Sequence, residues 1–192
     1  MLVWAMGLPA ADYLIGPVPP LWLTAARMAV AAALLVPVWR GGERTAVRAL
    51  PWRVGAGVGA MLATGAFLLV VAQAETDAVT VAVVSAAMPV IGLGIEVLTE
   101  GRRLTLPMVA GVALSLAGGL LAYGAAMGGL DLGLGAVAAL ASVTLYTMAS
   151  RWTVTALPDL TPLGRTTLTI LTATAVMTLA AVGGTALGLP AP

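Results

Sequence analysis

Seven apolar stretches divided by short polar gaps make up nearly the whole sequence: residues 2–16, 20–39, 54–74, 78–98, 104–125, 132–150 and 163–187. Five of them reach the ~20 apolar residues that cross a hydrocarbon core of ~30 Å; one more is slightly shorter, and the first is clearly short. The pattern predicts an all-α polytopic membrane protein with about seven transmembrane helices, because a backbone in lipid has to satisfy its own hydrogen bonds.

The gaps sort charge. Arg40, Arg44, Arg48 and Arg53 fill the gap after the second stretch, Arg102 and Arg103 the gap after the fourth, and Arg151 and Arg165 bracket the gap after the sixth. The other gaps contain no basic residue. Short basic loops resist translocation, so this alternation predicts three cytoplasmic loops, a cytoplasmic N-terminus and an external C-terminal end. Arginine without lysine, with abundant Ala, Gly and Val, points to a GC-rich bacterial gene and hence to a bacterial plasma membrane.

Composition agrees and narrows the chemistry. The chain of 192 residues is 60% hydrophobic and 9% charged, with a mean hydropathy of +1.05, far from an ordinary globular balance. A net charge of +1 and no basic patch interleaved with aromatics leave no nucleic-acid partner. The sequence contains no Cys, His, Lys or Asn. Disulfides, zinc sites of the usual kinds, Schiff-base lysines and a Ser-His-Asp centre are therefore excluded, and no cofactor is expected. Polar side chains are few and paired catalytic carboxylates are absent, which argues against an intramembrane enzyme. The first stretch lacks the basic start of a cleavable signal peptide. At ~15 residues it would cover only ~22 Å as a helix. That short start and the end directly after the seventh stretch read as those of a piece of a longer chain.

A repeat is faintly visible. Trp4 precedes Pro20 by 16 residues and Tyr146 precedes Pro162 by the same 16. An odd number of spans per repeat inverts the second copy, and the arginine pattern does set the first and sixth spans in opposite directions. Trp4-Ala-Met-Gly7, then Pro20-Leu-Trp-Leu-Thr-Ala-Ala-Arg27, Met88-Pro89, Arg103-Leu104-Thr105, Gly111 and Gly118-Gly119 follow in an order and spacing that resembles the EamA family of the drug/metabolite transporter superfamily. The resemblance implies one near-complete repeat over residues 1–125 and the first two helices of an inverted second repeat over residues 131–192. Two departures stand out. Family members usually carry a glutamate just before the Arg-Leu pair, where this chain has Arg102, and the last three of the family's ten helices have no counterpart here. The resemblance further implies a secondary transporter that exports a small metabolite or drug-like solute by alternating access. Its partners would be that solute and the lipid bilayer, with a homo-oligomer or a second chain supplying further helices. The alternative is a non-catalytic membrane subunit or fragment without transport of its own.

Candidate residues of the substrate pathway are the polar or helix-breaking ones inside the stretches: Trp4, Asp12, Arg27, Gln73, Ser85, Pro89, Glu96 and Tyr146, with Ser142 beside them. A charge inside a bilayer faces a cavity or a partner. Arg27 is read either as an anion-binding or gating residue or as the ion-pair partner of Asp12. Glu96, one helical turn before Glu100, is read either as a protonatable coupling group or as a carboxylate paired with Arg40 or Arg102. Pro89, with Gly92 and Gly94, interrupts the fourth stretch; the break either frees carbonyls for a solute or is a kink tolerated for packing. Trp22, Trp39, Trp52 and Trp152 lie at stretch ends as interfacial anchors. Gly55/Gly59, Gly124/Gly128 and Gly184/Gly188, each four apart, fit close helix contacts. Gly133-x-Gly135-x-x-Ala138 formally matches a dinucleotide fingerprint but follows no strand.

Overall fold

A computed structural model describes residues 13–15, 17–42, 50–76, 78–124 and 133–190. The described residues form seven principal helices: α1 (Pro20–Gly42), α2 (Trp52–Glu75), α3 (Ala78–Ala86), α4 (Met88–Glu100), α5 (Leu106–Gly124), α6 (Leu134–Ala156) and α7 (Pro162–Ala186). Among the described residues there is no strand. The six stretches after the first are all found as helix, residues 78–98 being divided at Ala87 into α3 and α4. The first stretch lies outside the described residues except for a short helical piece at residues 13–15. Among the described residues, four rods are long and apolar enough to cross a bilayer: Pro20–Gly42, Trp52–Glu75, Thr80–Glu100 and Pro162–Ala186; Leu106–Gly118 is a shorter apolar helix. The protein is an all-α, multi-pass membrane protein.

Hydroxyls inside these helices are absorbed locally. Thr144 donates to Leu140 O at 2.8 Å, Thr147 to Val143 O at 2.7 Å, Thr153 to Ala149 O at 2.7 Å and Thr174 to Ile170 O at 2.8 Å. Each bond runs back one turn, so a threonine can sit in an apolar helix without an orphaned donor. This is how α6 and α7 stay helical despite their polar content. At the start of α7, Thr161 accepts from Gly164 N at 3.0 Å and Pro162 occupies the first helical turn; capping side chain and missing N–H together set the boundary.

The bundle is built on α2, which packs against α6 on one flank and α7 on another, while α1 lies against α7. Lipid tails are as apolar as leucine, so association in a membrane depends on close approach and interhelical hydrogen bonds, not on apolar burial. Here α2 supplies both. A Cβ added at Gly59 would fall 2.1 Å from Thr172 Oγ1 and 2.8 Å from Ala173 N, and one at Gly55 2.8 Å from Leu168 Cγ. Gly65 is also close to α6, though less tightly: a Cβ there would meet Ser142 O at 3.3 Å and Tyr146 N at 3.4 Å. Thr172 Oγ1 donates across the first contact to Gly55 O at 2.8 Å, and Ser142 Oγ across the second to Gly65 O at 2.7 Å. Small buried side chains fill the rest, with Ala25, Ala63, Ala173, Met177 and Ala181 between α1, α2 and α7, and Ala72, Val81 and Ala139 between α2, α3 and α6.

The arginine-bearing gaps gather at one end of the bundle. Trp39 and Leu50, flanking the first of these gaps, form a buried cluster with Leu157 and Leu168, flanking the last. Arg102, from the middle gap, shares a carboxylate with Arg151. Three readings change. Trp39 is only 3% exposed and serves this cluster; it is not an interfacial anchor. Trp22 packs against the cluster around Ala25, while Trp52 and Trp152 remain exposed as anchors should. Gly188 is no helix-contact residue: it lies past the end of α7 at φ 92°, and Leu189 N reaches back to Gly184 O at 2.9 Å. That is a Schellman turn, which uses glycine's left-handed freedom to stop a helix. Gly128, of the Gly124/Gly128 pair, lies outside the described residues. Gly135 meets Thr76 at the end of α2, where a Cβ would fall 2.6 Å from Thr76 Cβ, so packing accounts for the glycine that the dinucleotide pattern would have needed.

Gly59→Ala places a methyl against backbone that cannot yield. It is expected to lower stability by about 1–3 kcal/mol, the usual cost of overpacking. Gly94→Ala, where a Cβ meets nothing within 4 Å, is expected to be neutral or slightly stabilising. Thermal unfolding of the two variants in the same detergent distinguishes them.

Candidate functional site

The division of the fourth span has a sequence cause. Pro89 has no N–H to give the carbonyl of Ser85, and its ring disfavours helical geometry at the residue before it. The chain responds at Ala87, whose N–H bonds Val84 O at 3.0 Å, three residues back, while Val90 and Ile91 both donate to Ala87 O at 3.0 and 3.1 Å. α4 then restarts with Pro89 in its first turn. The break leaves Ser85 O without the donor a continuous helix would supply. Ser85 Oγ meanwhile donates to Val81 O at 2.7 Å.

A cavity of ≈570 Å³ opens beside this break. Ser85 and Ala86 of α3, and Met88 and Pro89 of α4, form one wall. Ser142, Val143 and Tyr146 of α6 form a second, with Leu69 of α2 and Ser115 of α5 completing it. The α6 wall is held in register by the close contact at Gly65 and the Ser142 hydrogen bond described above. Along their helices, Pro89 and Tyr146 lie about 10 and 7 Å from the charged ends of α4 and α6 at 1.5 Å per residue.

Those charged ends are joined. Arg151, on α6, reaches two carboxylates on one face of α4: its Nη1 is 2.6 Å from Glu96 Oε1, and its Nη2 bonds Glu100 Oε1. Arg102, just past α4, bonds the other oxygen of Glu96. Gly101 makes this possible with φ 63°, turning the chain so that Arg102 N points back to Glu96 O at 3.4 Å. The cluster is half-exposed and balanced, two carboxylates against two guanidiniums. It links α4 to α6 beyond the cavity, on the end that carries the arginines.

The sequence candidates divide accordingly. Ser85, Pro89, Ser142 and Tyr146 come together around one cavity. Glu96 lies beyond it in the ion cluster, paired with Arg102, one of the two partners expected, and with Arg151 in place of the other, Arg40. Gln73 is buried on α2, and Arg27 is exposed on α1 with no described residue paired to it; neither lines the cavity. Trp4 and Asp12 lie outside the described residues. Sequence reasoning missed Ser115 and Arg151. Ser115 had a signal, being the lone hydroxyl between Thr105 and Tyr123. Arg151 had none, since its partners are 55 and 51 residues away.

A model of the EamA-like transporter family matches residues 1–124 of this chain. Comparison with curated proteins gives no significant match, and neither does comparison with solved structures.

Arg151→Gln removes both bonds from α6 to α4. It is expected to raise amide exchange several-fold at residues 96–102 and to leave α2 and α7 unchanged, since local opening follows local contacts. Raising the salt concentration should have the same direction of effect on the parent protein, because half-exposed pairs are screened. Hydrogen-exchange mass spectrometry reads both.

Proposed function

The chain belongs to the EamA-like transporter family, and on that premise we propose that it is a secondary transporter. It exports a small metabolite or drug-like solute across a bacterial plasma membrane by alternating access. The observation that carries this reading is the cavity at the α3–α4 break. A broken helix deep in a membrane, facing the first helix of a second repeat, is how carriers build a solute site without charged side chains. Residues 1–125 form one repeat and residues 131–192 the start of its inverted partner. The contact between α1 and α7, each opening on a proline, supports that division, because equivalent helices of inverted repeats meet near their shared axis. The arginine-rich end is cytoplasmic, in keeping with the preference of basic loops for that side.

In this mechanism Ser85, Pro89, Ser115, Ser142 and Tyr146 line the solute path. The cluster of Glu96, Glu100, Arg102 and Arg151 closes its cytoplasmic side. Glu96 thereby acts as a gate element, paired with Arg102 and Arg151. Opening inward separates α4 from α6 and exposes the four charged groups to water, which solvates them at little cost.

Expression of the protein in cells loaded with a broad panel of metabolites and drugs is expected to increase efflux of, or resistance to, at least one of them. Pro89→Ala, which restores a donor to Ser85 O, is expected to cut that flux at least several-fold at equal membrane abundance. A protein that inserts normally yet changes neither efflux nor resistance for any solute sinks the reading.

A further inference from the structure

Among the described residues, the cavity assigned above to the solute path is lined without a charged side chain: five of its nine described lining residues are apolar and the others are Ser85, Ser115, Ser142 and Tyr146. Taking that transport reading as its basis, we infer that the solute is uncharged, largely apolar and a hydrogen-bond donor, and that amino-acid zwitterions, organic anions and organic cations are not bound here. Three observations lead to this.

The first is the state of the hydroxyls. Ser85 and Ser142 have each committed their proton to a backbone carbonyl, Val81 O and Gly65 O, so toward the cavity they present oxygen lone pairs only. Ser85 O adds a further acceptor, because Pro89 cannot donate to it. Ser115 and Tyr146 are able to act either way. The wall around the break is therefore rich in acceptors, and a solute must bring donors to match it. A solute with only acceptors would find matching donors only in the Ser115 and Tyr146 hydroxyls.

The second is charge. An ion in such a cavity would lose hydration with no counter-charge among the described lining residues to replace it. The nearest charges along the lining helices are Arg151, Glu75 and Glu96; Arg151 and Glu96 neutralise one another, and Glu75 is exposed at the end of α2. The third is size: at ≈570 Å³ the cavity falls in the ~300–1,000 Å³ range of sites for drug-sized molecules.

The test uses four probes on one phenylalanine skeleton: N-acetylphenylalaninamide (uncharged, with donors), N-acetylphenylalanine (anion), phenethylamine (cation) and phenylalanine (zwitterion). Since the sequence contains no cysteine, Ser115→Cys and Leu69→Cys each place a single thiol on a different wall of the cavity. Alkylation by N-ethylmaleimide is followed in membranes containing the full chain. The expected result is that N-acetylphenylalaninamide slows labelling at both positions, and that each charged probe needs about tenfold or more higher concentration for the same protection, a difference of ~1.4 kcal/mol. A charged probe that protects as well as the amide overturns the solute class and leaves the transport reading standing. Labelling that none of the four probes slows at either position overturns the cavity as the solute site, and the transport reading then rests on the efflux experiment alone.

Discussion

The fold depends on how closely α2 lets its neighbours approach. In water a helix bundle is driven together by apolar burial, but in lipid the solvent is as apolar as the side chains, and that force is gone. What remains is dispersion at short range and hydrogen bonds between backbones near enough to share them. Gly55 and Gly59 bring α7 to α2, and Gly65 brings α6, each leaving no room for a methyl without displacement. At those same places a hydroxyl from the partner helix bonds an α2 carbonyl, Thr172 to Gly55 and Ser142 to Gly65. The glycine creates the proximity and the hydroxyl fixes the register.

Register is what the candidate site inherits. With α6 locked to α2 at Gly65, Ser142 and Tyr146 are held opposite the point where Pro89 breaks the fourth span. Arg151, about two and a half helical turns beyond Ser142, arrives at Glu96 and Glu100. Two kinds of interaction therefore tie α6 to the rest: a permanent one at the glycine contact with α2, and a hydrated, screenable one at the charged end of α4. A carrier needs both kinds. In the proposed transport cycle, the close contact would hold α6 to α2, and the solvated ion cluster would supply a closure whose opening exposes charge to water instead of burying it.

Much of this was legible before any fold was known. The apolar stretches and the sorted arginines were sufficient for an all-α membrane protein with its basic gaps on one side, because span length and loop charge are local quantities. Pro89 could be recognised as a break, since a missing N–H is a covalent fact. The Gly55/Gly59 pair was recognised as a helix contact, and Glu96 as one of a pair of carboxylates on one helical face. The identical spacing at Gly184/Gly188 misled: Gly188 stops α7 at positive φ, and only the backbone distinguishes a stop from a contact. Trp39, read as an anchor, is buried among Leu50, Leu157 and Leu168, which no local window could reveal.

The sequence alone determined what each segment could be: which parts are apolar enough to cross lipid, where the chain must break, which gaps bear positive charge, and which chemistries are ruled out by missing residue types. Tertiary structure decided which segments meet. It chose Arg151 as the partner of Glu96 from 55 residues away, set Ser115 and Leu69 on the walls of a cavity with Ser85 and Tyr146, and left Gln73 and Arg27 off that lining. The reason is physical. Propensity, hydropathy and the proline break act within a few residues along the chain, whereas a cavity and an ion cluster are properties of the space between helices, fixed here by the depth to which glycines on α2 allow other helices to settle.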